Sequence, residues 1–163
     1  MVEAFANWLK GTDLSWFVTY YPWVWPASET LHFIGMGLLV GIVGSIDLRM
    51  LGLAKRLPLG PLHRLLPWGI AGFLINLMTG ILFFAGDPFQ YVYNPAMQLK
   101  MLFILLAGIN VLVFYFFVFN ELKDLQPGQD APARAKTVSA ISLFLWVGVM
   151  CWGRMLPFIG NAF

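Results

Sequence analysis

Four mostly apolar stretches, each about as long as a lipid bilayer is thick, decide what this chain can become. They cover about residues 26–46, 65–85, 95–119 and 138–159. A hydrocarbon layer roughly 30 Å thick is crossed by about 20 helical residues rising 1.5 Å each, so each stretch has the length of one span. Composition gives the same answer. Of the 163 residues 60% are hydrophobic and 11% charged, whereas a soluble domain carries roughly 25% charge to solvate its surface. The stretches lack period-two alternation, and an open sheet cannot satisfy its edges in lipid. The expected fold is therefore all-α, a polytopic membrane four-helix bundle over residues 26–163. Pro26 and Pro95 stand at helix starts, where a missing N–H costs least, and Pro58, Gly60, Pro61, Gly86, Pro88, Pro127 and Gly128 mark the connections.

Residues 1–25 have a different character. Trp8, Trp16, Tyr20, Tyr21, Trp23 and Trp25 alternate with polar residues, and Lys10 and Asp13 interrupt any span. Indole and phenol rings prefer the headgroup level, so an interfacial aromatic helix is expected. Glu3 and the lack of a basic cluster argue against a cleaved signal peptide. Basic residues set the orientation. Arg49, Lys55, Arg56 and Arg64 lie between spans one and two, and Lys123, Arg134 and Lys136 between spans three and four. Both connections are expected on the cytoplasmic side. The termini then face outward, which in a bacterial inner membrane is the periplasm. A net charge of +2 without a basic run gives no nucleic-acid footprint. Cys151 stands alone, which excludes an internal disulfide framework.

A strongly polar side chain inside a span costs a few kcal/mol, so each is a functional candidate until a plainer account is found. His32, Asn76, Lys100, Asn110 and Arg154 are such residues. With the termini outside, His32, Lys100 and Arg154 fall within about 7 to 10 Å of the same outer boundary. Glu29, one turn before His32, and Thr79 are candidates to join them. The plainer accounts are snorkelling for Lys100 and Arg154, interhelical hydrogen bonding for Asn76 and Asn110, and a packed imidazole for His32. On a helical wheel His32 and Met36 share one stripe, with Gly37, Gly41 and Ser45 opposite. That small-residue ridge suits close contact with a neighbouring helix or a second copy, as in a homo-oligomer. Met150 and Cys151 flank Arg154. His32, Met36, Met150 and Cys151 are thus soft-ligand candidates for copper or for haem iron, although methionines in apolar helices are commonly filler. His63 is expected to be a solvated loop residue, and Asp47 with Arg49 an interfacial anchor or ion pair.

The runs LHFIGMGLLVGIVGSIDLRMLG, LLPWGIAGFLINLMTGILFF, NPAMQLKMLFILLAGIN and WVGVMCWGRMLPF together resemble a family of uncharacterised bacterial four-helix membrane proteins, over most of residues 23–158. The chain is also distantly similar to the haem-dependent membrane-bound protoporphyrinogen oxidases and the copper-resistance D-type membrane proteins, through the early Leu31–His32 pair and the small residues after it. In the oxidases a first-helix histidine and a lysine opening a later helix are tied to haem binding or catalysis. The resemblance implies those roles for His32 and Lys100. It departs from the oxidases between Asn110 and Phe117, where they carry a further histidine and this chain has none.

Three readings follow. The first is a b-type haem or related redox cofactor for electron transport in the outer half of the bundle, with His32 as ligand. Lys100 and Arg154 then hold propionates or an anionic quinone or porphyrin, and Glu29, Asn76 and Asn110 complete the polar lining. The second is copper or other metal handling at His32, Met36, Met150 and Cys151. The third is an assembly subunit that carries no cofactor.

Overall fold

The computed structural model describes residues 2–122 and 125–159, all helix or connection without a strand among them; Lys123 lies outside the described residues. Two short helices, α1 (Val2–Lys10) and α2 (Asp13–Tyr20), precede the long α3 (Val24–Leu51). A short α4 (Leu59–Arg64) leads into α5 (Leu66–Gly86), and α6 (Pro88–Val92) into α7 (Pro95–Val113). A π turn over Phe114–Val118 and a 3₁₀ turn over Phe119–Leu122 prolong α7, and α8 (Ala133–Met155) closes the chain.

Four helical stretches, Val24–Leu51, Leu59–Gly86, Pro95–Leu122 and Ala133–Met155, are long and apolar enough to cross a membrane, with mean hydropathies of 1.8, 1.8, 2.6 and 1.5. No more than 28% of any of these windows is buried inside the protein. Apolar helices that face outward along most of their length need lipid rather than water around them. The chain is an integral, multi-pass membrane protein. These four helices overlap the expected stretches, with different ends. The first helix starts two residues early and runs on to Leu51, and the last starts at Ala133 and stops at Met155.

Local chemistry fixes the ends. Asn94 accepts from the Ala96 N–H at 2.9 Å and Pro95 opens α7, while Asp87 accepts from the Gln90 N–H at 3.3 Å ahead of Pro88. Gly52, at φ +93°, ends α3 in the left-handed region, and the Leu53 N–H reaches back to the Leu48 carbonyl at 3.1 Å. The N-terminal segment is two helices rather than one, because Gly11 and the Thr12 cap break it. Trp8, Trp16, Tyr20 and Trp23 are exposed.

The helix backbones pack in the order α5, α3, α8, α7, and those of α5 and α7 never come within 8 Å. The backbones thus make three close contacts, and on the fourth side only side chains meet: Phe73 of α5 and Phe103 of α7 pack on one cluster. At the α3–α5 crossing a Cβ on Gly35 would lie 2.7 Å from the Gly72 carbonyl oxygen, and one on Gly72 would lie 2.6 Å from that of Gly35. Only glycine permits that approach. At the α7–α8 crossing Phe103 fills the place that a side chain on Gly148 would need. Gly37 and Gly41, expected to form the close-packing ridge, have open space where their Cβ atoms would be. That ridge faces away from the bundle.

Two apolar clusters fill the interior. Leu39, Ala107, Leu145 and Trp146 meet at mid-height, and Ile46, Met50, Leu59, Val118, Leu122, Ala131 and Ala135 meet at the loop end. The π turn adds a residue to the helical ladder, re-phasing the strip so that Val118 and Leu122 point into the second cluster.

Arg49 holds the loop end together. It is fully buried, its Nε donates to the Leu57 carbonyl at 2.7 Å, and its two terminal nitrogens donate to those of Gln126 and Gln129 at 3.2 and 3.3 Å. The expected Asp47–Arg49 ion pair does not form, because residues two apart on a helix point to different sides. Outside this clamp Asp130 pairs with Lys55 and with Lys136, each at 3.0 Å. The Lys55 pairing, then the Lys136 pairing, holds the Asp130 carboxyl below its ordinary range.

Candidate functional site

Polar side chains inside the bundle form two groups at opposite ends, separated by the mid-height apolar cluster. The outer group is built on His32. Its Nδ1 lies 2.7 Å from Thr79 Oγ1 on α5, and Thr79 Oγ1 lies 2.7 Å from the Ile75 carbonyl one turn back. A hydroxyl has a single proton, and a carbonyl can only accept. When Thr79 gives that proton to Ile75, Nδ1–H of His32 is the donor to Thr79, which leaves the Nε2 lone pair free. The Phe83 ring holds the imidazole edge-on at 5.5 Å between centroids. This arrangement, one ring nitrogen anchored and the other presented, is how proteins orient a ligating histidine.

Lys100 comes from α7 on the far side. Its ammonium packs over Gly153 of α8, where a Cβ would meet Nζ at 3.5 Å, and it is close enough to His32 for their charges to interact. Among the described residues no carboxylate pairs with Lys100 and no acceptor bonds it. The glycine on α8 gives the lysine its space. Arg154, next to that glycine, is exposed and lies over the Phe158 ring at 5.1 Å. Glu29 is exposed and accepts from Trp25 Nε1 at 3.2 Å. Of the expected outer set, then, His32 and Thr79 are in contact and Lys100 acts on His32 by charge alone, while Arg154 and Glu29 are exposed.

The two asparagines differ. Asn76 lies at the glycine crossing, with Nδ2 3.1 Å from where a Cβ on Gly35 would be, and its Oδ1 is buried without a partner. Asn110 donates to the Val138 carbonyl of α8 at 3.2 Å, the interhelical bond expected of it. Ten residues beyond Lys100, it sits about 15 Å deeper, among the inner group. Of the soft-ligand candidates, Met36 and Met150 are half-buried but Cys151 is exposed on α8. Among the described residues no three His, Cys, Asp or Glu side chains assemble as a metal site.

The inner group was only partly anticipated. His63 is not a solvated loop residue. It lies on α4 against the rings of Phe114 and Phe119, at 6.3 and 5.2 Å, and its Nε2 is buried without a partner. Asp47, 6% exposed, faces it across a cavity of about 70 Å³ that Asn110, Tyr115 and Ser142 help to line. Ser139 and Ser142, one turn apart on α8, neighbour the Asp47 carboxyl. The serines could have been found from their helical spacing with Ala135. A larger hollow of about 310 Å³ is lined by the 52–57 loop alone and brings no polar groups of different elements together.

The chain matches no protein-family model, no curated protein and no solved structure.

Proposed function

We propose that this membrane protein binds a b-type haem, or a related planar redox ligand such as a quinone, in the outer half of its bundle. The observation that carries the reading is the imidazole of His32, held by Thr79 so that Nε2 is free, within electrostatic reach of the Lys100 ammonium, which has no counter-ion among the described residues. A partly buried cation without a carboxylate favours an anionic or carbonyl-bearing partner. The chemistry of the residues fits haem on that side: His32 Nε2 would be a donor to the iron, and Lys100 would pair with a propionate. Bound haem would supply one-electron transfer. A lipid-dissolved ligand would reach these residues from the side of the bundle where the α5 and α7 backbones do not touch. Arg154 at the rim would screen the acidic groups of such a ligand.

Copper handling is less well supported, since the exposure of Cys151 leaves His32 with thioethers alone. The basic residues Arg49, Lys55, Arg56 and Arg64 gather at the loop end, which favours a periplasmic position for the His32 end. The resemblance to haem-dependent oxidases stays part of this proposal. The test is an absorption spectrum with metal analysis on protein purified from haem-replete cells. A Soret band lost in His32→Ala is the expected result; colourless protein that takes up neither haem nor a quinone contradicts it.

A further inference from the structure

The inner group presents a different problem. A carboxyl buried near the end of a membrane helix needs a partner for its charge, since transferring an isolated carboxylate out of water costs several kcal/mol or more. Among the described residues no cation pairs with Asp47. Arg49, its nearest cation in sequence, is held by three carbonyls. Lys55 and Lys136 are both paired with Asp130, and Arg134 with Glu121. On α8 the carboxyl meets only the Ser139 and Ser142 hydroxyls. The cavity beside it is lined on the α7 side by Asn110 and Tyr115, on α5 by Leu66 and on α4 by His63. Among the described residues the titratable side chains that line this cavity are Asp47, His63 and Tyr115.

The unpartnered atoms have complementary chemistry. Asp47 Oδ2 and His63 Nε2 are both buried without a hydrogen bond, and both residues line the same 70 Å³ cavity. That volume holds about two waters, which need two to four polar partners each, and the two orphans, with Ser142, Asn110 and Tyr115 among the lining residues, are the polar groups at hand. The backbone carbonyl of Leu59, one turn back on α4, is the other hydrogen-bonding neighbour of the His63 ring.

We propose that Asp47 and His63 form a proton-binding site, bridged by water and filled from the loop end of the bundle. A proton entering from the loop end, where His63 stands next to the exposed Arg64, reaches the buried Nε2 through the cavity water. The imidazole passes that proton through the cavity water to Asp47 Oδ2, which neutralises the carboxylate, and His63 returns to its neutral form. The Leu39, Ala107, Leu145 and Trp146 layer stands between this site and His32, so the proposal does not rest on the outer ligand.

The test is infrared difference spectroscopy on the full chain in nanodiscs, titrated with pH. A protonated-carboxyl C=O band is expected near neutral pH, where exposed carboxylates are ionised. It should be lost in Asp47→Asn, and its midpoint should move in His63→Gln. Aspartate labelling with ¹³C in the wild type should shift the same band, a readout that survives if Asp47→Asn does not fold. Absence of the band in labelled wild type overturns the proposal, as does a midpoint indifferent to His63→Gln. A band abolished by sodium at fixed pH would make the site one for a metal cation and also overturns it.

Discussion

Thr79 Oγ1 sits 2.7 Å from His32 Nδ1 and 2.7 Å from the Ile75 carbonyl, so one hydroxyl ties the imidazole of α3 to the backbone of α5. Outer partners of this kind typically change ligand affinity by about 10 to 100-fold when removed. Thr79→Val should therefore weaken binding at His32 by at least about tenfold, while Thr79→Ser, which keeps the hydroxyl, should remain close to wild type. Titrating haem or a quinone into both variants measures the difference.

The glycine crossing gives a second expectation. A side chain on Gly72 would collide with backbone of α3, which cannot yield as a flexible side chain can. Gly72→Val should cost about 3 kcal/mol or more, seen as lost folded yield in detergent. Gly41→Ala, into open space, should leave the melting temperature unchanged.

Arg49 should be more sensitive than a surface arginine. Arg49→Met removes bonds to three carbonyls belonging to two connections, and with hydrogen bonds to charged groups worth about 1.5 to 3 kcal/mol each it should lower thermal stability strongly. Arg49→Lys keeps the charge but not the fork, so it should fall between. Melting of the three proteins in one detergent checks the order.

The Lys55–Asp130–Lys136 cluster carries a pH dependence of definite sign. Its partners depress the Asp130 carboxyl in the folded state, so the stability it adds is present above the ordinary carboxylate range and fades as pH falls through the lowered value. Tyr91 behaves in the opposite sense. Burial, then Asp87 and Glu29, push its phenol up to about 12, so its contribution is whole below the ordinary phenol value and lost as pH rises through about 12. Asp130→Asn should flatten the acid limb of a stability profile and Tyr91→Phe the alkaline limb.

The four spans could be read from the sequence because hydrocarbon thickness imposes one length and one composition on each. His32 and Lys100 stood out for a related reason, since few polar groups occur among so many apolar ones. What sequence could not give was direction around each helix. The small-residue pattern at Gly37, Gly41 and Ser45 fits a packing ridge, yet the crossing uses Gly35 and Gly72, two residues out of step and on another face. Arg154 shares a depth with Lys100, but neighbours on a helix differ by about 100°, and Gly153 rather than Arg154 faces inward. His63 looked like a loop residue because α4 is too short for a periodic signal. Its burial depends on Phe114 and Phe119, over fifty positions away.

The most direct measurement is the optical spectrum of the protein purified from haem-replete membranes, taken beside His32→Ala and Lys100→Ala. A haem Soret band, lost in the first variant and weakened in the second, or a quinone recovered from wild type alone, is the expected result. Wild-type protein that is folded, colourless and free of quinone, and that binds neither when they are added, would contradict the outer site.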